Sequence, residues 1–116
     1  MFLFEIFSNG QHIGWSDLEL GDPPMGVAFG VFVPGPDYSS VQEQIRAFTR
    51  LDQRRFNFVV RIAGGEEVRA AGVSIADNSA DCGPDEIELT VLGIEYPDYG
   101  EIFPEHVAAY RRQFDV

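Results

Sequence analysis

The residue types that could do chemistry are concentrated in one loop-forming stretch, DNSADCGPDE, residues 77–86. Its acids stand four residues apart (Asp77, Asp81 and Asp85), and Pro84 interrupts the run. An EF-hand calcium loop instead needs oxygen ligands at alternate positions and a mid-loop glycine. A structural zinc site needs four Cys or His ligands, and the chain has one cysteine and two histidines. We therefore expect no metal site and no cofactor.

A nucleophile would have to be Cys82, with His12 or His106 as its base. The acids around Cys82 favour the protonated thiol and weaken it as a nucleophile. Carboxylate pairs such as Glu86 and Glu88 could serve acid–base catalysis, but almost any acidic protein contains such pairs. We therefore name no catalytic residue, and enzymatic activity is the less favoured interpretation.

Three basic side chains, Arg46, Arg50 and Arg54, recur every four residues and could form an anion-binding stripe on a helix. The favoured alternative is local pairing with Glu43 and Asp52, which stabilises a helix by about 0.2–0.5 kcal/mol per pair.

Net charge is the most informative bulk property, at −11 from 19 acids and 8 arginines. A chain this acidic repels nucleic acids and anionic membranes and attracts basic proteins. Its association rate with a basic protein should fall as the salt concentration increases. The charge is segregated, because residues 1–45 contain no base and six of the arginines lie within residues 46–69. The carboxylates predicted to contact Lys or Arg of a partner are Asp17, Glu19, Asp22, Glu86, Glu88, Glu95, Asp98 and Glu101.

The elements that must position these side chains follow from apolar periodicity and turn residues. Asn9–Gly10 is a strong hairpin signal between the first two strands. The predicted strands are 2–8, 11–16, 25–33, 56–63, 67–76 and 86–96. The predicted helices are 38–53, with Val41, Ile45 and Phe48 on its apolar stripe, and a short terminal helix that begins at Pro104.

The order βββ-α-βββ-α predicts an α+β fold in two layers. We expect a mostly antiparallel sheet of about five to six strands, with two helices packed on one face. The 116 residues suit a single domain, 1–116. The start of the chain is interpreted as a first strand and not as a signal peptide. One cysteine cannot form an internal disulfide, so a cytoplasmic location is expected.

Three side chains are expected to be mainly structural. Trp15, the single tryptophan, is predicted to pack in the core, with an exposed role at an interface as the alternative. His12 and His106 are predicted to be surface or partly buried residues.

Three functions remain open on this evidence. The first is a non-enzymatic binding protein, in its most specific form an immunity-type inhibitor that covers the active site of a basic toxin such as a nuclease. The second is a small-ligand-binding domain or minor enzyme with a pocket between sheet and helices, where Arg46 or Arg61 reaches an anionic group. The third is a structural or assembly subunit that forms a homodimer through a strand edge.

Overall fold

The computed structural model describes residues 2–114. It contains two antiparallel four-stranded sheets and a few short helices. Sheet A has the order β5-β2-β1-β6 and sheet B has the order β3-β4-β8-β7. In chain order the strands are β1 (Phe4–Ser8), β2 (Gln11–Ser16), β3 (Leu20–Asp22), β4 (Val27–Val31), β5 (Val33–Pro34), β6 (Phe58–Ile62), β7 (Gly72–Asp77) and β8 (Ile87–Leu92).

The helices are short and lie beside sheet B. They are α1 (Gln42–Ala47), α2 (Ser79–Cys82), α3 (Asp98–Ile102) and α4 (Pro104–Arg112), with 3-10 turns at Pro23–Met25, Tyr38–Ser40 and Arg54–Phe56. Helix α1 contacts β7 at one edge of the sheet, and α4 contacts β3 at the other. No helix within residues 2–114 is long and apolar enough to cross a membrane.

One hydrophobic core lies between the inward faces of the two sheets. Ile6, Ile13 and Val60 come from sheet A, and Ile75 and Leu89 come from sheet B. Each of these five side chains is almost fully removed from water, and burial of this kind is the main favourable term in folding. Apolar and polar residues alternate along β8, and Ile87, Leu89 and Val91 face inward.

The α+β class is confirmed, but the single sheet with helices on one face is wrong. The predicted strand 25–33 is divided between both sheets, since β4 belongs to sheet B and β5 to sheet A. The crossing is made at Phe32, whose side chain is buried and whose amide donates to the Ile87 carbonyl at 2.8 Å. An uninterrupted apolar run shows burial, but it does not show which sheet each half joins.

The predicted strands 56–63 and 67–76 also belong to different sheets. After β6 the chain turns back, and the amide of Val68 donates to the Val60 carbonyl at 2.7 Å. It then leaves sheet A, and the amide of Ala71 donates to the Leu92 carbonyl of sheet B at 2.9 Å. Between the two segments an isolated bridge joins Arg61 and Glu67, and sheet A gains no further strand from this return.

The helix predicted over 38–53 is regular only in α1, from Gln42 to Ala47. Its apolar stripe is correct, since Ile45 is buried and Val41 and Phe48 pack against the core. The helix ends early because the following residues bond the edge of β7. The Gln53 side chain accepts from the Ile75 amide and donates to the Ile75 carbonyl, both at 2.8 Å.

The terminal helix begins at Pro104, as predicted. The preceding helix α3 is anchored by Tyr99, whose hydroxyl donates to the Val27 carbonyl at 2.8 Å. Burial raises the pKa of Tyr99 to about 12. His106 stacks on Phe103, with ring centroids 4.9 Å apart, and lies 2.8 Å from the Leu18 carbonyl. These contacts fix α3 and α4 against the β3 edge of sheet B.

Candidate functional site

Three of the eight predicted partner-binding acids line one groove beside β4 and β8 of sheet B. Glu19, Glu86 and Glu88 meet there, together with Asp85, which was not among the predicted residues. The volume of the groove is about 550 Å³. We refer to this cavity as the sheet-B groove.

The other five predicted acids lie outside the sheet-B groove. Asp98 and Glu101 line a second cavity of about 390 Å³, where Asp98 is paired with Arg69 at 2.9 Å. Asp17 lines a third cavity. Asp22 lies exposed at the end of β3, and Glu95 lines a fourth cavity. The predicted acids therefore form several separate clusters.

The floor of the sheet-B groove is apolar, and strand register places it on the outer face. Leu20 is opposite Phe29, and Val31 is opposite Glu88. Opposed residues of an antiparallel pair project from the same face of a sheet. Leu20 is 56% exposed and Val31 is 44% exposed. The groove therefore combines exposed aliphatic side chains with carboxylates.

Glu19 is placed at the groove by an unusual local backbone. Leu18 has φ of 46° and its side chain is fully buried, so the chain turns sharply before β3. The carboxylate of Glu19 then accepts a hydrogen bond from the Val31 amide at 3.1 Å. A side chain at position 30 would collide with Glu19, so Gly30 leaves the space that this arrangement needs.

Asp85 and Glu86 lie in a connection that is closed by backbone hydrogen bonds. The Asn78 amide donates to the Glu86 carbonyl at 2.9 Å, and the Glu86 amide donates to the Gly83 carbonyl at 3.0 Å. The start of this connection is held by Asp77, which accepts from the Ser79 amide at 2.9 Å and from its hydroxyl at 2.6 Å. These hydrogen bonds therefore fix the positions of Asp85 and Glu86 at the groove.

Asp77 is also the centre of a buried polar network, and its side chain has no exposed surface. Its carboxylate accepts from the Tyr38 hydroxyl at 2.6 Å and from the Gln42 amide at 3.3 Å, and it faces the Arg46 guanidinium at 3.5 Å. Burial alone would raise the pKa of Asp77, but the hydrogen bonds from Ser79, Tyr38 and Gln42 outweigh it and lower that pKa. Burial, together with the hydrogen bond to this carboxylate, raises the pKa of Tyr38.

The three arginines predicted as an anion-binding stripe point to different places. Arg46 lies on α1 and faces Asp77, and it also donates to the Ser79 hydroxyl at 2.9 Å. Arg54 lies beyond the helix and binds Asp52, where its hydrogen bonds lower the pKa of that carboxyl to about 2. Arg50, with φ of 68°, lines the sheet-B groove. Local pairing therefore accounts for Arg54.

The residues considered for catalysis and metal binding are spread over the molecule. Cys82 is exposed at the end of α2. His12 lies on the outer face of sheet A, 3.3 Å from Glu5. Within residues 2–114, no three His, Cys, Asp or Glu side chains are grouped closely enough to hold a metal ion.

A larger cavity, of about 750 Å³, lies between α4 and the start of β1. Leu3, Phe4 and Phe103 contribute its apolar wall, and His106 and Arg112 contribute polar groups.

A two-sheet α+β fold with an acidic groove beside one sheet is the class that these observations define. Comparisons with family models, with curated proteins and with solved structures found no match for this chain.

Proposed function

We propose that this chain is a small acidic binding protein that takes a basic, partly apolar segment of a partner protein into the sheet-B groove. The observation that carries the proposal is the combination of four carboxylates with exposed aliphatic floor residues in one cavity. In its most specific form the protein is an immunity-type inhibitor, and the bound segment borders the active site of a basic toxin such as a nuclease. The proposal includes no catalytic step and no cofactor.

Charge supports a basic partner. The four acids of the groove, Glu19, Asp85, Glu86 and Glu88, face one base, Arg50. The net charge of the chain is −11. The electrostatic field of the whole protein is therefore negative, as is the charge around the groove. Complementary fields of this kind accelerate association and orient the partner.

The floor supports a partner segment with an apolar centre. Leu20, Phe29 and Val31 offer a surface that releases water when it is covered. The surrounding carboxylates then contact the basic flanks of the segment at the rim of the interface, as is usual in protein complexes.

A synthetic peptide with a Leu-Val-Leu centre and lysine flanks tests this proposal by titration into the isotope-labelled protein, followed by NMR. We expect the amide signals of Leu20, Phe29, Val31 and Glu88 to shift. Replacing Glu86 and Glu88 with Gln should weaken binding by about two- to thirtyfold, because two exposed charge pairs together contribute about 0.4–2 kcal/mol. Affinity should also fall between about 50 mM and about 300 mM NaCl, as charges on the rim are screened.

The matched control is Glu95→Gln, which removes an exposed acid outside the groove and should leave peptide affinity unchanged. A second control peptide with glutamate flanks should not bind. Shifts confined to other surfaces, or equal losses in Glu95→Gln and in the double variant, would contradict the proposal.

The second candidate function, small-ligand binding, would use the cavity between α4 and β1. Its motivation is the volume of about 750 Å³, with polar groups of both signs among the lining residues: His106 and Arg112, and the acids Asp17, Glu19 and Glu105. In the same NMR experiment a library of small polar molecules would shift the signals of Phe103 and His106 and leave those of Phe29 and Val31 unchanged.

A further inference from the structure

The outer face of sheet A carries an aromatic surface that the proposed function does not use. Strand register places Glu5, Trp15 and Arg61 in one row across three strands, and Phe7 lies opposite His12 in the next row. All of these side chains project away from the core, because β1 buries Phe4, Ile6 and Ser8. We call these five residues the sheet-A face. The prediction that Trp15 packs in the core is therefore wrong, since Trp15 is half-buried on the outer face.

The aromatic groups of the sheet-A face contact one another in a continuous series. Trp15 and His12 have ring centroids 4.9 Å apart, and His12 and Phe7 have centroids 5.3 Å apart. Phe2 stacks on Trp15 at 5.7 Å, and the Arg61 guanidinium lies 5.6 Å from the Phe7 centroid. These mutual contacts fix the side chains, so little conformational entropy is lost when a partner covers them.

Within residues 2–114, the main sheet contacts of α1 and α4 are with the other sheet. Helix α1 contacts β7 and α4 contacts β3, and both strands belong to sheet B. The rings of Phe7, His12 and Trp15 are each partly exposed, and aromatic residues are enriched at protein interfaces.

Charge indicates which partner fits. The whole chain carries −11, but on the sheet-A face one acid, Glu5, is balanced by one base, Arg61. Two copies of this chain repel each other in most relative orientations, because both are negatively charged. The repulsion is weaker when they approach through a face whose charges are balanced. In a two-fold arrangement the same patch is used by both copies, so Glu5 of each can face Arg61 of the other.

We propose that two copies of this chain form a homodimer through the sheet-A face, with Trp15 in the buried centre. The two sheets would pack face to face, about 10 Å apart, as sheets do inside proteins. The proposal goes beyond the binding of a basic partner, because it uses the opposite sheet.

The sequence also suggested a dimer that forms by pairing of strand edges. In the described residues, however, the edge strands offer few accessible backbone groups for such pairing. The β6 edge is covered by the chain around Val68. At the β7 edge the amides of Ile75 and Asp77 are bonded by the Gln53 and Thr49 side chains. The other two edge strands, β5 and β3, are two and three residues long. Covered or short edges resist strand addition.

Salt dependence separates this dimer from partner binding. Two chains that each carry −11 repel at long range, and salt screens that repulsion. Dimer affinity should therefore rise between about 50 mM and about 300 mM NaCl, whereas the affinity of a basic peptide for the sheet-B groove should fall. Because the two salt dependences are opposite, failure of the dimer proposal can be distinguished from failure of the proposal that the sheet-B groove binds a basic segment.

Sedimentation velocity over a range of protein concentrations tests the dimer, together with the emission maximum of Trp15. Since Trp15 is the single tryptophan, its emission reports this face alone, and we expect a blue shift as concentration rises. Arg61→Glu should raise the dimer dissociation constant about tenfold or more, because two like-charge contacts replace two attractive ones. Mixing Arg61→Glu with Glu5→Arg should restore the dimer, since each variant supplies the charge that the other lacks.

The matched control is Arg112→Glu, the same change in net charge at an exposed position on α4. It should leave most of the dimerisation intact. A monomer at every concentration and at both salt levels would overturn the proposal. So would an effect of Arg112→Glu as large as that of Arg61→Glu, or a mixture of variants that stays monomeric. Circular dichroism confirms that each variant is folded before it is measured.

Discussion

Replacing Asp77 with Asn lowers the free energy of unfolding by about 2–4 kcal/mol, because hydrogen bonds to a charged group are worth about 1.5–3 kcal/mol each and more than one of them is weakened. The Asp77 side chain has no exposed surface and accepts hydrogen bonds from Tyr38, Gln42 and Ser79. An asparagine amide presents donors where these groups also donate, so some of them lose their partner. The Arg46 guanidinium, which faces the carboxylate at 3.5 Å, loses its counter-charge.

Urea unfolding followed by circular dichroism measures the loss. The matched control is Asp81→Asn, because Asp81 lies four residues further along the chain on the exposed surface of α2. That substitution should change stability by less than about 0.5 kcal/mol. Equal effects of the two substitutions would mean that the buried network contributes no more than a surface charge.

The same variant has a defined pH dependence. The pKa of Asp77 is lowered in the folded protein, whereas an unperturbed aspartate titrates near about 3.9. A lowered pKa contributes stability above the unfolded value, and that stability is lost as pH falls through the folded value. The gap between the wild type and Asp77→Asn should therefore be constant from pH 7 to about pH 5 and close below about pH 4. A gap that widens in acid would contradict the assignment.

This network also connects stability to the proposed function. Asp77 holds Ser79 at the start of the connection that carries Asp85 and Glu86. The carboxylates of the groove are useful to a partner only if they stay in place, because a mobile rim loses entropy on binding. The network is thus the internal support of the sheet-B groove.

Local pattern was enough to predict the elements whose partners are close in sequence. The Asn9–Gly10 turn joins β1 and β2 as expected. In β8 the alternation of Glu88 with Leu89 gave the correct outward face. Both features depend on two-residue periodicity and turn geometry, which are properties of the chain itself.

The assignment of strands to two sheets could not be read from the same pattern. Phe32 is one apolar residue in an apolar run, yet it is the point where the chain passes from sheet B to sheet A. Likewise α1 ends early because Gln53 bonds Ile75, which lies 22 residues away. Long-range contacts of this kind override local propensity.

The candidate site was predicted in part for the same reason. The two-residue spacing of Glu86 and Glu88 predicts that they share one face of the strand 86–96. Their meeting with Glu19 depends on the pairing of β3 with β4 and on the turn at Leu18. The apolar floor was missed because the exposure of Leu20 follows from its register opposite Phe29.

The second large effect is expected at the crossing between the sheets, where replacing Gly14 with Ala should cost about 2–3 kcal/mol, as overpacking of a filled site does. Gly14 is buried in β2 and pairs with Pro34 of β5. A β-carbon there would collide with the Val33 carbonyl oxygen and would lie 2.5 and 2.9 Å from two ring atoms of Phe32. The carbonyl belongs to the backbone of β5, so relief of the collision requires β5 or the Phe32 ring to move.

The control for this substitution is Gly72→Ala in β7, where an added β-carbon meets no atom within 4 Å and φ is not positive. That variant should stay within about 0.5 kcal/mol of the wild type. Thermal and urea unfolding of both proteins measure the difference. Gly14→Ala with wild-type stability would mean that Phe32 does not pack over β2, and the passage of the chain between the sheets would then have to be placed elsewhere. A loss of stability in Gly14→Ala, with Gly72→Ala unchanged, would instead support the close packing of Phe32 on β2. The missing side chain at Gly14 then makes room for the segment that passes from β4 to β5.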